Sequence, residues 1–295
     1  QGAVLAPVGA LPFDPAEPVA VGRTERHQEL LAQSSELALE QLAGSMRVYV
    51  EVPDRSFGAT IMNRLRPWLH VLLALSANSP IWRGRDTGFA SWRSISARRR
   101  AADGPPPYVR NAAEYDRFVD QLVALGVVPD RGQVDWWLRL SDPPGSSRPT
   151  VEIQVCDVQL DVQSAVMITG LARALVCRAL RDAVIGVSEP RFPSALGRAA
   201  GWQAARHGVS DELIQLSAAA AGKTWLRPAL DVVAALLAHV APVADDLDAL
   251  MPALADTLLG AGGAERQRRA LAEGGQARLL DLVRLANEPA GVEAA

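Results

Sequence analysis

Three short segments alternate polar and apolar residues and put chemically capable side chains at every second position. In "MRVYVEV", Arg47, Tyr49 and Glu51 fall on one side of a strand, with Met46, Val48, Val50 and Val52 on the other. "VDWWLRL" groups Asp135, Trp137 and Arg139, and "TVEIQVCDV" groups Thr150, Glu152, Gln154 and Cys156. Carboxylates are hard oxygen ligands suited to Mg2+ on nucleotide phosphates, and guanidinium groups clamp phosphates or carboxylates. Antiparallel sheets also commonly wet one face, and each segment taken singly reads as such a solvated face. Together the three could line a cleft.

A fourth stretch, "LLALSANSPIWRGRDTGFASWR" at 72–93, starts as an apolar helix end and breaks into a polar loop rich in tryptophan and arginine. Asn78, Arg83, Asp86, Thr87, Ser91 and Arg93 are its polar side chains of interest, and a rigid loop with solvated arginines would read the same way. Other catalytic arrangements are poorly represented. His27, His70, His207 and His239 are dispersed, without zinc-ligand spacing. Lys223, in "AGKTW", lacks the upstream glycine of a P-loop, and no GxSxG elbow occurs. Cys156 has no histidine near it in sequence and reads as packing.

The elements that must position these residues follow from periodicity. An amphipathic helix is predicted over 24–43, a strand over 46–52, and a helix over 57–76 bent at Pro67, which removes a backbone donor. An exposed loop is predicted over 94–110, a helix over 112–125, and strands over 134–140 and 150–158. Everything after Asp161 reads as helix: 161–185, 194–207, 210–220, 227–240, 243–259 and 264–287. Strands early and helices late favour an α+β fold with one antiparallel sheet.

At 295 residues and 49% hydrophobic content, the chain can bury a large core as one domain. A net charge of −3 without a basic stripe argues against nucleic acid as a main partner. Two cysteines without CxxC spacing suit a reducing compartment, so a cytoplasmic location is expected. The N-terminal segment lacks a basic leader and is interrupted by Pro7, Pro12, Pro15 and Pro18, and the longest apolar runs, near 69–77 and 232–240, are short for a bilayer. No signal peptide or membrane partner is expected.

"LRPWLHVLLALSANSPIWRGRDTGFASWRS", "GPPPY", "WWLRL" and "PTVEIQVCDV", in this order, resemble the carboxylate-amine ligase branch of the type 2 glutamate-cysteine ligase family. "GWQAARHGV" at 201–209 and "GAGGAERQR" at 260–268 extend the resemblance over most of the chain. It implies an ATP- and Mg2+-dependent ligase that phosphorylates the γ-carboxyl of glutamate and lets an amine attack the acyl phosphate. The implied fold is similar to the glutamine synthetase catalytic domain, a curved antiparallel sheet with packed helices and a helical C-terminal half, here one catalytic domain over 1–295. By that comparison Glu152 and Glu51 are the implied metal ligands, and Arg139 and Arg93 the implied catalytic arginines. Asn78, Arg83, Asp86, Thr87 and Ser91 would form the polar rim that holds the nucleotide, with Trp82, Phe89 and Trp92 packing the loop against the sheet. Arg47, Tyr49 and Gln154 would meet the substrate. The implied partners are small amino acids and amines, and self-association into a homo-oligomer is left open.

The chain also departs from that pattern. Arg47 and Tyr49 stand where the family has histidines, Gln154 where it has arginine, Trp137 where it has aspartate, and the family's N-terminal glutamate-rich strand is absent from this sequence. Two expectations follow: a working ligase with altered recognition, or a non-catalytic homologue that binds a nucleotide or amino acid or partners an active paralogue.

Overall fold

The computed structural model describes residues 6–14, 22–40, 42–143, 148–217 and 225–285. Lys223 and the tip of the turn before Thr150 lie outside the described residues. The chain runs α1 (Glu25–Ser34), α2 (Glu36–Leu39), β1 (Val48–Glu51), α3 (Arg55–Leu65), α4 (Leu69–Ser76), β2 (Ile81–Trp82), β3 (Arg85–Asp86), α5 (Trp92–Ala97) and β4 (Asp103–Gly104). It continues with α6 (Ala112–Ala124), β5 (Asp135–Trp136), β6 (Leu138–Ser141), β7 (Thr150–Ile153), α7 (Val162–Val184) and α8 (Ser194–His207). Last come β8 (Glu212–Ile214), β9 (Leu226–Pro228), α9 (Ala229–Val240), α10 (Leu247–Asp256) and α11 (Gly263–Leu285). This is an α+β architecture with a helical C-terminal half.

Its centre is an antiparallel sheet in the order β1-β7-β6. Register sets Tyr49, Glu152 and Arg139 in one row across the three strands, and Val48, Ile153 and Leu138 in the next. Because side chains alternate along a strand, the first row faces the polar side and the second the core. Helices α3 and α7 cover the apolar side, and Val48, Leu138, Val151 and Ile153 are buried there in one core with Ile61, Leu65, Met167 and Leu171. Helix α3 starts on an Asp54 carboxylate that accepts from the Phe57 amide at 2.9 Å, and it stops before Pro67. Every residue of α4 is buried, which accounts for its apolar composition on all sides.

The predicted 24–43 helix is broken at Ser35, whose φ is +46°. The predicted exposed loop at 94–110 instead holds α5 and β4, with Ser94, Ala102 and Val109 buried. The predicted 210–220 helix contains a strand paired antiparallel to β9, since Leu213 and Leu216, both buried, have a three-residue spacing that suits a turn and a hairpin equally well. His70 fixes that hairpin, with its Nε2 2.6 Å from the carbonyl of Ile214.

The predicted 134–140 strand divides. Asp135–Trp136 pairs in parallel with Asp103–Gly104, while Leu138–Ser141 joins the main sheet. At the division Trp137 donates its N–H to the Gly104 carbonyl at 2.8 Å and accepts at its own carbonyl from the Gln154 amide at 3.0 Å. Its ring is buried, with the Arg98 guanidinium 5.4 Å from the ring centroid. A Cβ added at Gly201 of α8 would lie 2.0 Å from that ring. Gly201→Ala should therefore cost about 1–3 kcal/mol through overpacking, read as a lower urea midpoint with a changed near-ultraviolet tryptophan signal; an unchanged midpoint would place the ring elsewhere.

Helix α7 is, by length and composition, long and apolar enough to cross a membrane, yet Met167, Ile168, Leu171 and Leu175 on it are buried in the protein core.

His70 also gives the fold a pH dependence. Burial pushes its pKa down from 6.5 to about 4, with the Ile214 carbonyl working the other way, and its Nδ1 has no partner to receive a second proton's bond. A group depressed on folding binds fewer protons in the native state, so its contribution is full above pH 6.5 and is lost as pH falls towards 4. The expected loss is on the order of 3 kcal/mol. Urea titrations at pH 4.5 and 7 should show a smaller stability difference for His70→Gln than for the wild type, and equal differences would refute the assignment.

Candidate active site

Above the polar face lies a cavity of about 450 Å³. Arg47 and Gln154 form part of its floor, Arg93, Ser96, Arg99 and Arg100 one wall, and Arg26, Asp103 and Asp135 reach it from other segments. The cavity is closed by residues distant in sequence, which is why only part of it follows from strand alternation.

Glu152 lies behind the floor: it holds Arg47, while Glu152, Arg139 and Tyr49 do not themselves line the cavity. The Glu152 side chain is 0% exposed, and its two oxygens meet Arg139 Nε at 2.6 Å, the Tyr49 hydroxyl at 3.0 Å and Arg47 Nη1 at 3.4 Å. Arg139 donates further to the carbonyls of Gly132 and Val134, at 3.0 and 3.3 Å. Burial works against the Arg139 charge, but the Glu152 carboxylate prevails and raises the arginine's pKa. Arg47 is held more loosely. It shares a carboxylate that Arg139 already occupies, and its side chain is 44% exposed. Gln154 commits its amide nitrogen to the Trp136 carbonyl at 2.6 Å.

The other carboxylates and arginines of the cavity are paired. Arg100 bridges Asp103 at 3.2 Å and Asp135 at 2.9 Å, Arg26 holds Asp130 at 2.8 Å, and Arg99 bonds Glu40. Burial pushes the Asp103 carboxyl up to about 6, against the opposing pull of Arg100 and Arg93, and its Oδ1 has no hydrogen-bond partner.

The residues predicted for the nucleotide rim lie outside the sheet cavity. Asn78, Ser79, Ser91 and Arg93 converge on Asp157, whose side chain is 0% exposed. Its Oδ2 accepts from the Asn78 amide at 2.8 Å and the Ser79 hydroxyl at 2.7 Å, and its Oδ1 from the Ser91 hydroxyl at 2.9 Å and Arg93 Nε at 2.5 Å. The Asn78 side chain is saturated by the carbonyls of Pro7 and Val158 and by Gln267 of α11. No room remains there, since a Cβ at Gly263 would lie 2.3 Å from Asn78 Oδ1. Asp86 pairs with Arg268 at 3.1 Å, and Thr87 donates to the Pro80 carbonyl at 2.8 Å. Arg83 lies 3.4 Å from Asp14 and 3.6 Å from Glu40. None of Asn78, Arg83, Asp86, Thr87 and Ser91 lines the sheet cavity; Arg83 faces a separate hollow of about 380 Å³ with Trp82, Trp92 and Arg99. Phe89 packs on Trp92 and on Trp202 of α8, with ring centroids 5.9 and 5.7 Å apart. Asn78 and Ser91 thus belong to a buried brace, whereas Arg83 and Asp86 sit half-exposed on the β2–β3 hairpin.

The predicted metal pair fares likewise. Glu51 is exposed, one polar row beyond Glu152, opposite Thr150. Both oxygens of Glu152 already face cations or a hydroxyl, so a Mg2+ ion would have to displace an arginine. Among the described residues no group of three His, Cys, Asp or Glu side chains could hold a metal ion. Glu51 and Glu152 do not form a Mg2+ site in this geometry.

Sequence reasoning missed Arg26, Arg99, Arg100, Asp103 and Asp157. The signal for the middle three was the charged run "ARRRAADG", read as solvated loop; Asp157 lies in the quoted "VEIQVCDV".

The glutamate-cysteine ligase family 2 (GCS2) pattern matches residues 1–283. This chain belongs to that family. A Nocardia farcinica GCS2 protein, provisionally named glutamate--cysteine ligase 2-1, is 40% identical over 250 residues, covering 84% of this chain and 63% of the relative. A Salinispora arenicola protein, provisionally named glutamate--cysteine ligase 2, is 37% identical over 273 residues, covering 92% and 70%. A Frankia casuarinae protein, provisionally named glutamate--cysteine ligase 2-2, is 37% identical and is covered over only 31% of its length. The chain thus spans 63%, 70% and 31% of the lengths of these three relatives. Among solved structures, the Pup ligase PafA in complex with ADP has a TM-score of 0.49 at 14% identity, covering 82% of this chain and 53% of that one, a likeness too distant to carry a functional conclusion.

Proposed function

We propose that this GCS2 chain is an ATP-dependent carboxylate-amine ligase, with the sheet cavity as its substrate-binding site. The supporting observation is the cavity of about 450 Å³ over the polar sheet face, with Arg47 exposed in its floor and four further arginines around it. In the proposed reaction a carboxylate oxygen attacks the γ-phosphorus of ATP and ADP leaves. The amine nitrogen then attacks the acyl carbon, phosphate departs with the acyl oxygen, and the nitrogen gives up a proton. Arg47 would orient the anionic substrate, glutamate or a related acid, because a guanidinium gives two parallel donors to a carboxylate. Glu152, which also binds Arg139 and Tyr49, would keep Arg47 in place. Arg93 lines the cavity but is committed to Asp157, which makes it a positioning residue. A cytoplasmic location, a single catalytic unit and small amino-acid and amine partners belong to the same reading.

The second reading is a non-catalytic homologue that binds an amino acid or nucleotide. The occupied carboxylate of Glu152 and the lack of an assembled metal-donor group among the described residues favour it. One assay separates the two: ADP formation by the purified protein with glutamate across a panel of amines, beside calorimetric binding of glutamate and of ATP. The ligase reading expects turnover that Arg47→Ala reduces at least tenfold, mainly through KM. Binding without turnover for any amine would establish the second reading, and neither binding nor turnover would discard both.

A further inference from the structure

On the protein face formed by the α3–α4 link and the loops before α6 and α8 lies another cavity, of about 350 Å³, lined by Arg66, Tyr108, Arg191, Phe192 and Pro193. Arg66 is 4% exposed. Its Nε donates to the Pro106 carbonyl at 3.2 Å, its guanidinium lies 4.8 Å from the Phe192 ring centroid, and its Nη1 has no hydrogen-bond partner. Arg191 lies 4.8 Å from the Tyr108 ring centroid and donates to the Tyr108 hydroxyl at 3.0 Å. Among the described residues neither arginine makes an ion pair. The nearby carboxylate, Glu189, is engaged by the Asn63 side-chain amide at 3.0 Å and by Tyr108.

A buried cation without a counter-charge is costly, and proteins normally pair such groups. Desolvation accordingly lowers the pKa of Arg66, with only Tyr108 opposing it. Aromatic faces give part of the compensation, since a ring quadrupole attracts a cation, but they leave the N–H donors unmet. An oxyanion supplies both missing elements, a negative charge and several acceptors, and guanidinium pairs are suited to it.

We propose that this cavity is a second ligand site, separate from the sheet cavity, which binds a small oxyanion between Arg66 and Arg191, with the Tyr108 and Phe192 rings as its apolar walls. The shared chemistry is a phosphate or carboxylate group, as free inorganic phosphate or as the carboxylate of a small amino acid.

Thermal unfolding of the purified chain in phosphate, in glutamate and in chloride at matched ionic strength tests this. Phosphate or glutamate should raise the wild-type Tm above the chloride control by about 3 °C or more at saturation; whichever does so identifies the source. Arg191→Ala, a surface change, should abolish that difference. Arg66→Met should abolish it too while leaving the protein in chloride no less stable than the wild type, because it removes an uncompensated charge. If Arg66→Met does not fold, Arg191→Ala decides alone. Arg47→Ala should keep the response, which separates this site from the sheet cavity and its proposed reaction. The proposal is overturned if neither anion exceeds chloride, or if Arg191→Ala retains the full shift.

Discussion

Asp157→Ala is expected to lower the stability of the chain by about 3–5 kcal/mol, the range for stripping one partner from a buried ion pair. The carboxylate has both oxygens filled, and the guanidinium it neutralises, Arg93, has a side chain only 9% exposed. Alanine would leave that cation buried and deprive the Asn78 amide and two serine hydroxyls of their acceptor. Typical domain stabilities are about 5–15 kcal/mol, so the loss is a large fraction of the whole. Asp157→Asn keeps an acceptor but not the charge and should fall between. Urea denaturation reads both, and an Asp157→Ala cost under about 1 kcal/mol would show that the brace is not what holds 78–93 to the sheet.

The second large effect concerns the carboxylate that holds Arg47 from behind the cavity floor. Glu152→Ala leaves Arg139, with a side chain 12% exposed, without its ion-pair partner, and it frees Arg47 and Tyr49 at once. A loss of about 3–5 kcal/mol is expected. Replacing both partners by apolar groups, Arg139→Met with Glu152→Leu, should recover most of it, since the cost lies in the orphaned charge rather than in lost packing. If the proposed reaction is right, neither variant turns over substrate, although the double variant is folded. A double variant as unstable as the sum of the singles would mean that the pair acts through something other than mutual neutralisation.

Strand alternation made the polar sheet face legible, of which Arg47 and Gln154 line the cavity. Arg47, Tyr49, Arg139 and Glu152 sit on one face because a period of two leaves a short strand no other choice once Val48 and Val50 turn to the core. The walls were not legible. Arg100 and Asp103 sit in a charged run whose sequence reads as solvated, and only the parallel pairing of Asp103 with Asp135 brings it over the sheet. The polar loop at 78–93 is ambiguous in sequence for a related reason. Its side chains have the chemistry of a binding rim, but polar groups satisfy a buried Asp157 as well as they satisfy a ligand, and composition does not distinguish the two. The strand at 134–140 split because Trp137 needs a pocket, which α8 provides at Gly201 and no local pattern announces.

That tryptophan also bears on motion. Its N–H closes onto the 103–104 strand and its carbonyl onto the strand that carries Glu152, so one peptide unit on each side of a single residue is shared between two sheets. Neither sheet can then fray at this edge without loosening the other. In hydrogen exchange the amides of Trp137 and Gln154 should behave as one cooperative unit, with matched opening free energies. Asp103, carried on the smaller sheet, and Glu152, on the larger, would therefore hold their spacing through thermal fluctuation, and the floor and wall of the cavity would breathe together rather than hinge.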